Sequence, residues 1–412
     1  MHRETAEKQG LLVTSGFIDL HAHLREPGFE DSETIVTGAR AALRGGFTTI
    51  CAMPNTEPAI DTPGLVAEVL SRGAAAGGAR VLPIATITRG RKGKELADLV
   101  ELAAAGAVAF SDDGSPVSDG GLFRHALEYA RTRDLLLIEH PQDLELSGKG
   151  VMNEGVVSAA LGLPGISNAA EEVAVARAIL VADGLGARVH LTHLSTAGSI
   201  DMVRAAKKQG IRVTCDVTPH HLALTEDWVR GRRALAWEQG LKGQEMAAAP
   251  ANATPYDSNT KMNPPLRTLH DVRALWIGLV DGTIDAIATD HAPHASVRKE
   301  VEFDQAAFGI SGLETALSLV LGGVNAGWCD LEIAIRALTD GPARVLGITP
   351  STDDWIAIKV DEPWIVRAKD LTSLGKNTPL LGVGLRGRVM VAAVGGEERY
   401  ERAARGEAQA VR

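Results

Sequence analysis

The side chains that could do chemistry in this 412-residue sequence are histidines and acids that end short apolar runs. His21 and His23 stand two apart in GFIDLHAHL. Alternate residues of a strand point to one side, so both imidazoles can grip the same ion. Asp112 and Asp113 end GAVAFSDD, His140 ends DLLLIEH, His193 sits in ARVHLTHLS, and IDAIATDHA brings Asp290 and His291, with His294 just beyond. Each has an ordinary explanation on its own: an incidental HxH pair, a turn at Asp112-Asp113-Gly114, a satisfied core histidine, a helix-capping aspartate. Their joint placement on the ends of such runs is what points to a metal. Imidazole and carboxylate without thiolate suit zinc, and also manganese, cobalt or iron. Four histidines and two acids exceed the needs of one tetrahedral ion. They suit two ions about 3.5–4 Å apart, an arrangement that activates a water for hydrolysis.

A hydrolase also needs a grip on its substrate. Arg25, two residues after His23, points into the same mouth, and its planar guanidinium suits a carboxylate held through two hydrogen bonds. The competing explanation is a salt bridge to Glu26 or Glu30. Asn55 in AMPNTEP and Asn263 in KMNPPLR lie beside prolines that stiffen their loops. Either presents an amide to a polar substrate or is an ordinary turn residue. His220 and His221 in TPHHL are read as structural or supporting, and Cys215 as a small buried thiol.

These residues need a scaffold that gathers run ends on one face. Runs at 16–24, 46–54, 79–88, 106–113, 134–140, 187–195, 211–219 and 284–292 alternate with Ala-, Leu- and charge-rich helical stretches, several ending in glycine. Eight parallel strands covered by helices close most simply into an α/β fold of the (β/α)8, or TIM barrel, type, whose active site lies at the C-terminal strand ends. An open doubly wound sheet would show a glycine-rich phosphate loop after its first strand, and HLREPGFE is not one. Residues 229–262, with EMAAAPANATPYDSNT, break the pattern and are expected to form an insertion, a lid or loop, before the eighth strand. Strand character over 351–395 (DWIAIKV, EPWIVRA, RGRVMVAAVGG) predicts a small β-domain, and 396–412 a charged, frayed tail.

Composition removes other classes. A net charge of −10, from 42 basic and 52 acidic residues, disfavours a nucleic-acid backbone as partner. Three cysteines (Cys51, Cys215 and Cys329) without a CxxC pair exclude a disulfide scaffold and a cysteine zinc site, and fit a reducing cytoplasm. No apolar run reaches the ~18 residues of a membrane span, and MHRETAEKQG has no apolar core of a signal peptide. A cytoplasmic protein acting on a small molecule, with neither membrane nor nucleic acid, is expected.

Taken together, DLHAHLREPG, MPNTEP, FSDDG, VTPHHL, KMNPPLR, ATDHAPH and FGISG, with a late KNTPLLGVGLRGRV, resemble the class I bacterial dihydroorotases of the amidohydrolase superfamily over residues 16 to about 395. The resemblance implies reversible hydrolysis of (S)-dihydroorotate to N-carbamoyl-L-aspartate in de novo pyrimidine synthesis. It implies one or two zinc ions per chain on His21, His23, Asp113, His140, His193 and Asp290, with Asp113 bridging and Asp290 also the general base. The choice of Asp113 over Asp112 rests on the family pattern. Arg25, Asn55 and His294 would hold the substrate carboxylate, Asn263 the ring, and Ala307, Phe308 and Gly309 would add substrate contacts. A barrel over 16–350, a remnant of an N-terminal β-sandwich segment over 1–15, a homodimer and an association with aspartate transcarbamoylase are implied in the same way. Four departures are expected to matter: a shorter segment before the HxH strand, a longer insertion at 229–262, Ala307 where proline is expected, and PQDLE after His140 in place of a cysteine-and-acid run. The rivals are a cyclic amidohydrolase of dihydropyrimidinase or allantoinase type, whose substrates lack the ring carboxylate, and a non-catalytic subunit supporting aspartate transcarbamoylase, which should lack metal ligands.

Overall fold

The computed structural model describes residues 3–239 and 254–402. Strand β1 (Leu12–Ser15) stands apart from the strands that follow: β2 (Phe17–Ala22), β3 (Phe47–Ala52), β4 (Arg80–Ala85), β5 (Ala109–Phe110) and β6 (Leu137–Glu139). A separate two-stranded pair, β7 (Met152–Asn153) and β8 (Gly165–Ile166), comes next, then β9 (Val189–Leu191), β10 (Val213–Val217) and β11 (Ala286–Ile287). The eight barrel strands are parallel and run in the order β11-β10-β9-β6-β5-β4-β3-β2. The two ends of that sheet meet. Ala22 bridges His291 in parallel, the His23 N–H donates to the His291 carbonyl at 2.8 Å, and the Asp19 carboxylate accepts the Thr289 N–H and hydroxyl. The result is a TIM barrel with one strand in each of the eight runs the sequence marks.

Local signals set the boundaries. The helix Ile35–Gly45 begins where the Thr34 side chain accepts the Thr37 N–H, and ends at Gly46, whose φ of 94° favours glycine. Ile18, Leu20, Cys51, Ile84, Ile138 and Ala286 pack together inside the barrel, so its lower part is a filled core and not a pore. A second shell that includes Phe17, Phe47, Phe110 and Phe123 seals strands against helices. With its interior filled, the barrel leaves its functional groups to the strand ends.

The remaining strands, β12 (Trp355–Ile365), β13 (Gly384–Val394) and β14 (Glu397–Glu401), form an antiparallel sheet in the order β1-β12-β13-β14. Thus β1 joins a sheet made mostly by the late part of the chain. The expectation of a frayed tail from 396 needs correction: Glu397–Glu401 pairs with β13. An edge strand uses only its backbone on one side, so charged side chains can stay in water. Residues 403–412, and 240–253 of the expected insertion, lie outside the described residues. The insertion's described flanks include 3₁₀ turns at Ala236–Glu238 and Ser258–Thr260.

Candidate active site

Five strand ends deliver six buried side chains to one point: His21 and His23 from β2, Asp113 after β5, His140 after β6, His193 after β9 and Asp290 after β11. His21 Nε2 and His23 Nε2 lie 3.2 Å apart. Asp290 Oδ1 is 3.4 Å from the first and 3.1 Å from the second. Opposite them, His140 Nδ1 and His193 Nε2 are 2.9 Å apart. Asp113 stands between the halves, its oxygens 3.5 Å from both His21 and His23, 3.2 Å from His140 and 3.6 Å from His193. Asp112 is turned away: one oxygen accepts the Ile87 and Thr88 N–H groups at 2.9 and 3.1 Å, the other the Thr88 hydroxyl. Geometry therefore places Asp113, not its neighbour, in the cluster.

A second layer fixes which ring nitrogens face inward. Thr192 Oγ1 donates to Asp216 at 3.0 Å, so it accepts from His21 Nδ1–H at 2.9 Å. Asn55 Oδ1 accepts from His23 Nδ1–H at 2.8 Å. Both Nε2 lone pairs then converge on each other and on carboxylate oxygens. Such convergence repels unless a cation sits among the lone pairs, so the donor set fits a divalent metal. The electrostatics show the same demand for positive charge: burial opposes charge on His21, but the Asp113 and Asp290 carboxylates outweigh it and push its pKa up to about 9, so that without an ion a proton takes the inward position a cation would fill. Burial likewise opposes charge on Asp113, yet the surrounding imidazoles, His21 foremost, hold its pKa well below the usual range. Arg25, His193 and Asp290 have φ of 61°, 41° and 45°, in the left-handed region. Such backbone costs about 1–3 kcal/mol per residue and is retained where it aims a side chain.

Above the cluster lies a cavity of about 210 Å³. Arg25 lines it, with Nε donating to the Pro293 carbonyl at 3.1 Å and Nη2 3.4 Å from His294 Nε2. Among the described residues Arg25 forms no ion pair: Glu26 is taken by Arg72 and the Ile35 N–H, and Glu30 by the Gly28 N–H. Asn55, Asn263, His294, Phe308 and Gly309 also line the cavity. His294 Nε2–H donates to the Phe308 carbonyl at 2.7 Å, and burial together with the Arg25 charge pushes its pKa down to about 3. Gly309 is needed for close approach: a Cβ there would meet the Ala292 carbonyl oxygen at 2.7 Å. Ala307 is not brought to the cavity. Its N–H donates to Arg298 and its carbonyl accepts from Lys299 Nζ, so neither group is left for a substrate. His291 points away toward Glu33, and His221 supports the Asn263 loop by donating to the Pro264 carbonyl at 3.0 Å.

Comparison with known proteins bears on the family and the fold. A family model described as dihydro-orotase-like matches residues 10–199. The dihydroorotase of Anaeromyxobacter sp. (strain K) is 49% identical over 395 residues, covering 94% of this chain and 86% of that protein. The chain belongs to the dihydroorotase family. The dihydroorotase of Citrifermentans bemidjiense is 45% identical over 401 residues, covering 96% of this chain and 89% of its own. Among solved structures, the L-hydantoinase (dihydropyrimidinase) from Arthrobacter aurescens has the same fold, with a TM-score of 0.78 at 22% identity over 95% of this chain and 85% of that one.

For this dihydroorotase-family chain, sequence reasoning missed the layer behind the ligands. Thr192 and Asp216 orient His21, and Arg267, from the NPPLR motif, donates to Ser195, Asn153 and the Ile166 carbonyl beneath the Asn263 loop. Asn377, from the late KNTPL motif, accepts the His294 N–H and donates to the Ala292 and Gly309 carbonyls. The motifs were visible, but nothing in them named a partner.

Proposed function

We propose that this protein hydrolyses (S)-dihydroorotate to N-carbamoyl-L-aspartate, and closes the ring in the reverse direction, in de novo pyrimidine synthesis. The observation that carries this reading is Arg25, a guanidinium without a carboxylate partner over a cluster suited to amide hydrolysis. A ring that bears its own carboxylate supplies what that cation lacks, whereas dihydrouracil-like and allantoin-like rings do not.

In this reading His21, His23, Asp113, His140, His193 and Asp290 would together hold one zinc ion, or two. When present, the ions supply a water acidified to near neutrality and polarise the amide carbonyl. Arg25 and the Asn55 amide nitrogen orient the substrate carboxylate, His294 joins them by turning its Nε2–H from the Phe308 carbonyl to the incoming anion, and Asn263 orients the ring. Asp290 accepts the proton of the attacking water and passes it to the ring nitrogen that leaves, and the same group runs the reverse path. Burial beneath the cavity keeps bulk water from competing for these bonds.

Three buried, free thiols support a reducing, cytoplasmic setting. Among the described residues no helix is long and apolar enough to cross a membrane. A homodimer, and an association with aspartate transcarbamoylase, belong to the same proposal and are read by light scattering with and without that enzyme. The decisive experiment is turnover of dihydroorotate, dihydrouracil and allantoin by metal-analysed protein. Selective turnover of dihydroorotate, abolished by chelation and restored by zinc, is expected. Turnover of the uncharged rings alone, or full activity without metal, overturns the reading.

A further inference from the structure

Two residues past His140, in the PQDLE segment, Gln142 has a place that no role above uses. Its side-chain oxygen lies 2.9 Å from His140 Nε2 and 2.9 Å from Asn263 Nδ2, and its nitrogen 2.8 Å from Ser147 Oγ. The sense of every bond in this chain is set at its far end. Ser147 Oγ donates to the Asp143 carbonyl at 2.7 Å, and a carbonyl can only accept. The hydroxyl oxygen is then left to accept, so Gln142 presents its N–H to it and turns Oε1 the other way.

That oxygen needs donors, and both of its neighbours can supply one. His140 carries its proton on Nε2, which leaves the Nδ1 lone pair facing Asp113 at 3.2 Å and His193 at 2.9 Å. Asn263, which lines the cavity, donates through Nδ2, and among the described residues its Oδ1 makes no hydrogen bond. Asn55 is held in the opposite sense, because His23 Nδ1–H occupies its oxygen and frees its amide nitrogen. The two asparagines therefore read different groups: Asn55 an acceptor, Asn263 a donor.

We propose that Gln142 is a positioning residue that fixes two things at once: Nδ1 of His140 as the metal-facing nitrogen, and Asn263 as an acceptor selecting substrates with a ring N–H on that side of the cavity. The first half stands on the donor set alone; the second rests on the dihydroorotate reading above.

The test uses zinc and dihydroorotate on the full chain. Gln142→Met keeps the length and removes the acceptor; Gln142→Glu keeps the acceptor. Outer partners of metal-bound histidines typically change metal affinity about 10–100-fold, so Gln142→Met should weaken zinc by that order in chelator competition without substrate. At saturating zinc it should raise KM roughly tenfold, more than it lowers kcat. Gln142→Glu should hold zinc at least as tightly as the parent and restore KM to within about threefold. If methionine impairs folding, Gln142→Asn, which withdraws the amide by one methylene, should show the same loss. Unchanged zinc affinity in a folded Gln142→Met protein, or equal damage in Gln142→Glu, overturns the proposal. If the parent does not turn over dihydroorotate, the substrate reading falls and with it the Asn263 half, while the zinc measurement still decides the role of Gln142 at His140.

Discussion

The floor and the rim of the cavity are built to opposite electrostatic rules. In the floor, Asp113 and Asp290 sit among four imidazoles, and among the described residues no lysine or arginine bonds either carboxylate. The inward nitrogens of His21 and His23 present lone pairs beside the carboxylates, which collects cations. In the rim, Arg25 has no carboxylate, His294 is held neutral, and the rest are amides and backbone. That arrangement collects an anion. One small cavity thus separates a place for metal from a place for a charged substituent, and the reacting bond belongs at their boundary. If the division is real, floor substitutions should move metal content and turnover together, and rim substitutions should move KM alone.

The largest effect is expected at Asp290, which belongs to the floor but also faces the boundary. Asp290→Asn keeps the size and removes the basic oxygen. Loss of a general base alone slows reactions by about 10²–10⁴-fold, and losing a metal-facing carboxylate adds to it. Hydrolysis should fall beyond that range while metal analysis still finds partial occupancy, because His21, His23 and the His140–His193 half are untouched. Near-parental turnover with a changed KM would place Asp290 functionally in the rim and break the division.

Arg25 is the matching probe of the rim. Arg25→Lys keeps the charge and loses the planar fork. Hydrogen bonds to charged groups contribute about 1.5–3 kcal/mol, so KM for dihydroorotate should rise roughly 10–100-fold. Metal content and the thermal midpoint should stay at parental values. Loss of zinc with unchanged KM would show that Arg25 buttresses the floor instead.

The floor was more legible in the sequence than the rim, for a physical reason. Its ligands end barrel strands, and a strand writes its position into the chain as a short apolar run with polar residues at its end. His21, His23, His140 and His193 are all found that way. Their orienting partners are not, because the His21–Thr192 bond joins residues 171 apart and the His23–Asn55 bond residues 32 apart. The rim is made of loops whose backbone groups are satisfied by distant residues, which is why Ala307 reads as a contact in the sequence and is occupied by Arg298 and Lys299 in the fold. At the scale of the fold, β14 escaped because a charged edge strand and a solvated tail have the same composition, and β7 and β8 because two residues show no period.

Lys299 offers the smallest and most selective test, since it acts on the rim without touching the floor. Its buried ammonium donates to the Ala307 and Gly309 carbonyls at 2.7 and 3.1 Å, and so shapes the loop that carries Phe308. Burial, reinforced by Lys261 and opposed by Asp257, pushes its pKa down to about 7 from the ordinary 10.5. Between these two values the unfolded chain holds a proton that the folded chain has released, so this group makes folding more favourable as pH rises through that window, and its burial penalty is felt in full below it. Substrate binding should run the other way. The charged form grips both carbonyls more strongly and adds positive charge beside a site for an anion. A hydrogen bond from a charged donor exceeds a neutral one by about 1 kcal/mol, so KM should rise roughly fivefold as pH passes upward through about 7, with metal content constant. Lys299→Met should show a raised KM below neutrality and a flatter profile across it, together with a higher thermal midpoint on the acid side, where the buried charge no longer has to be accommodated. KM–pH curves of the two proteins that superimpose would assign the titration to the floor, and the electrostatic separation of floor from rim would fail at its most sensitive point.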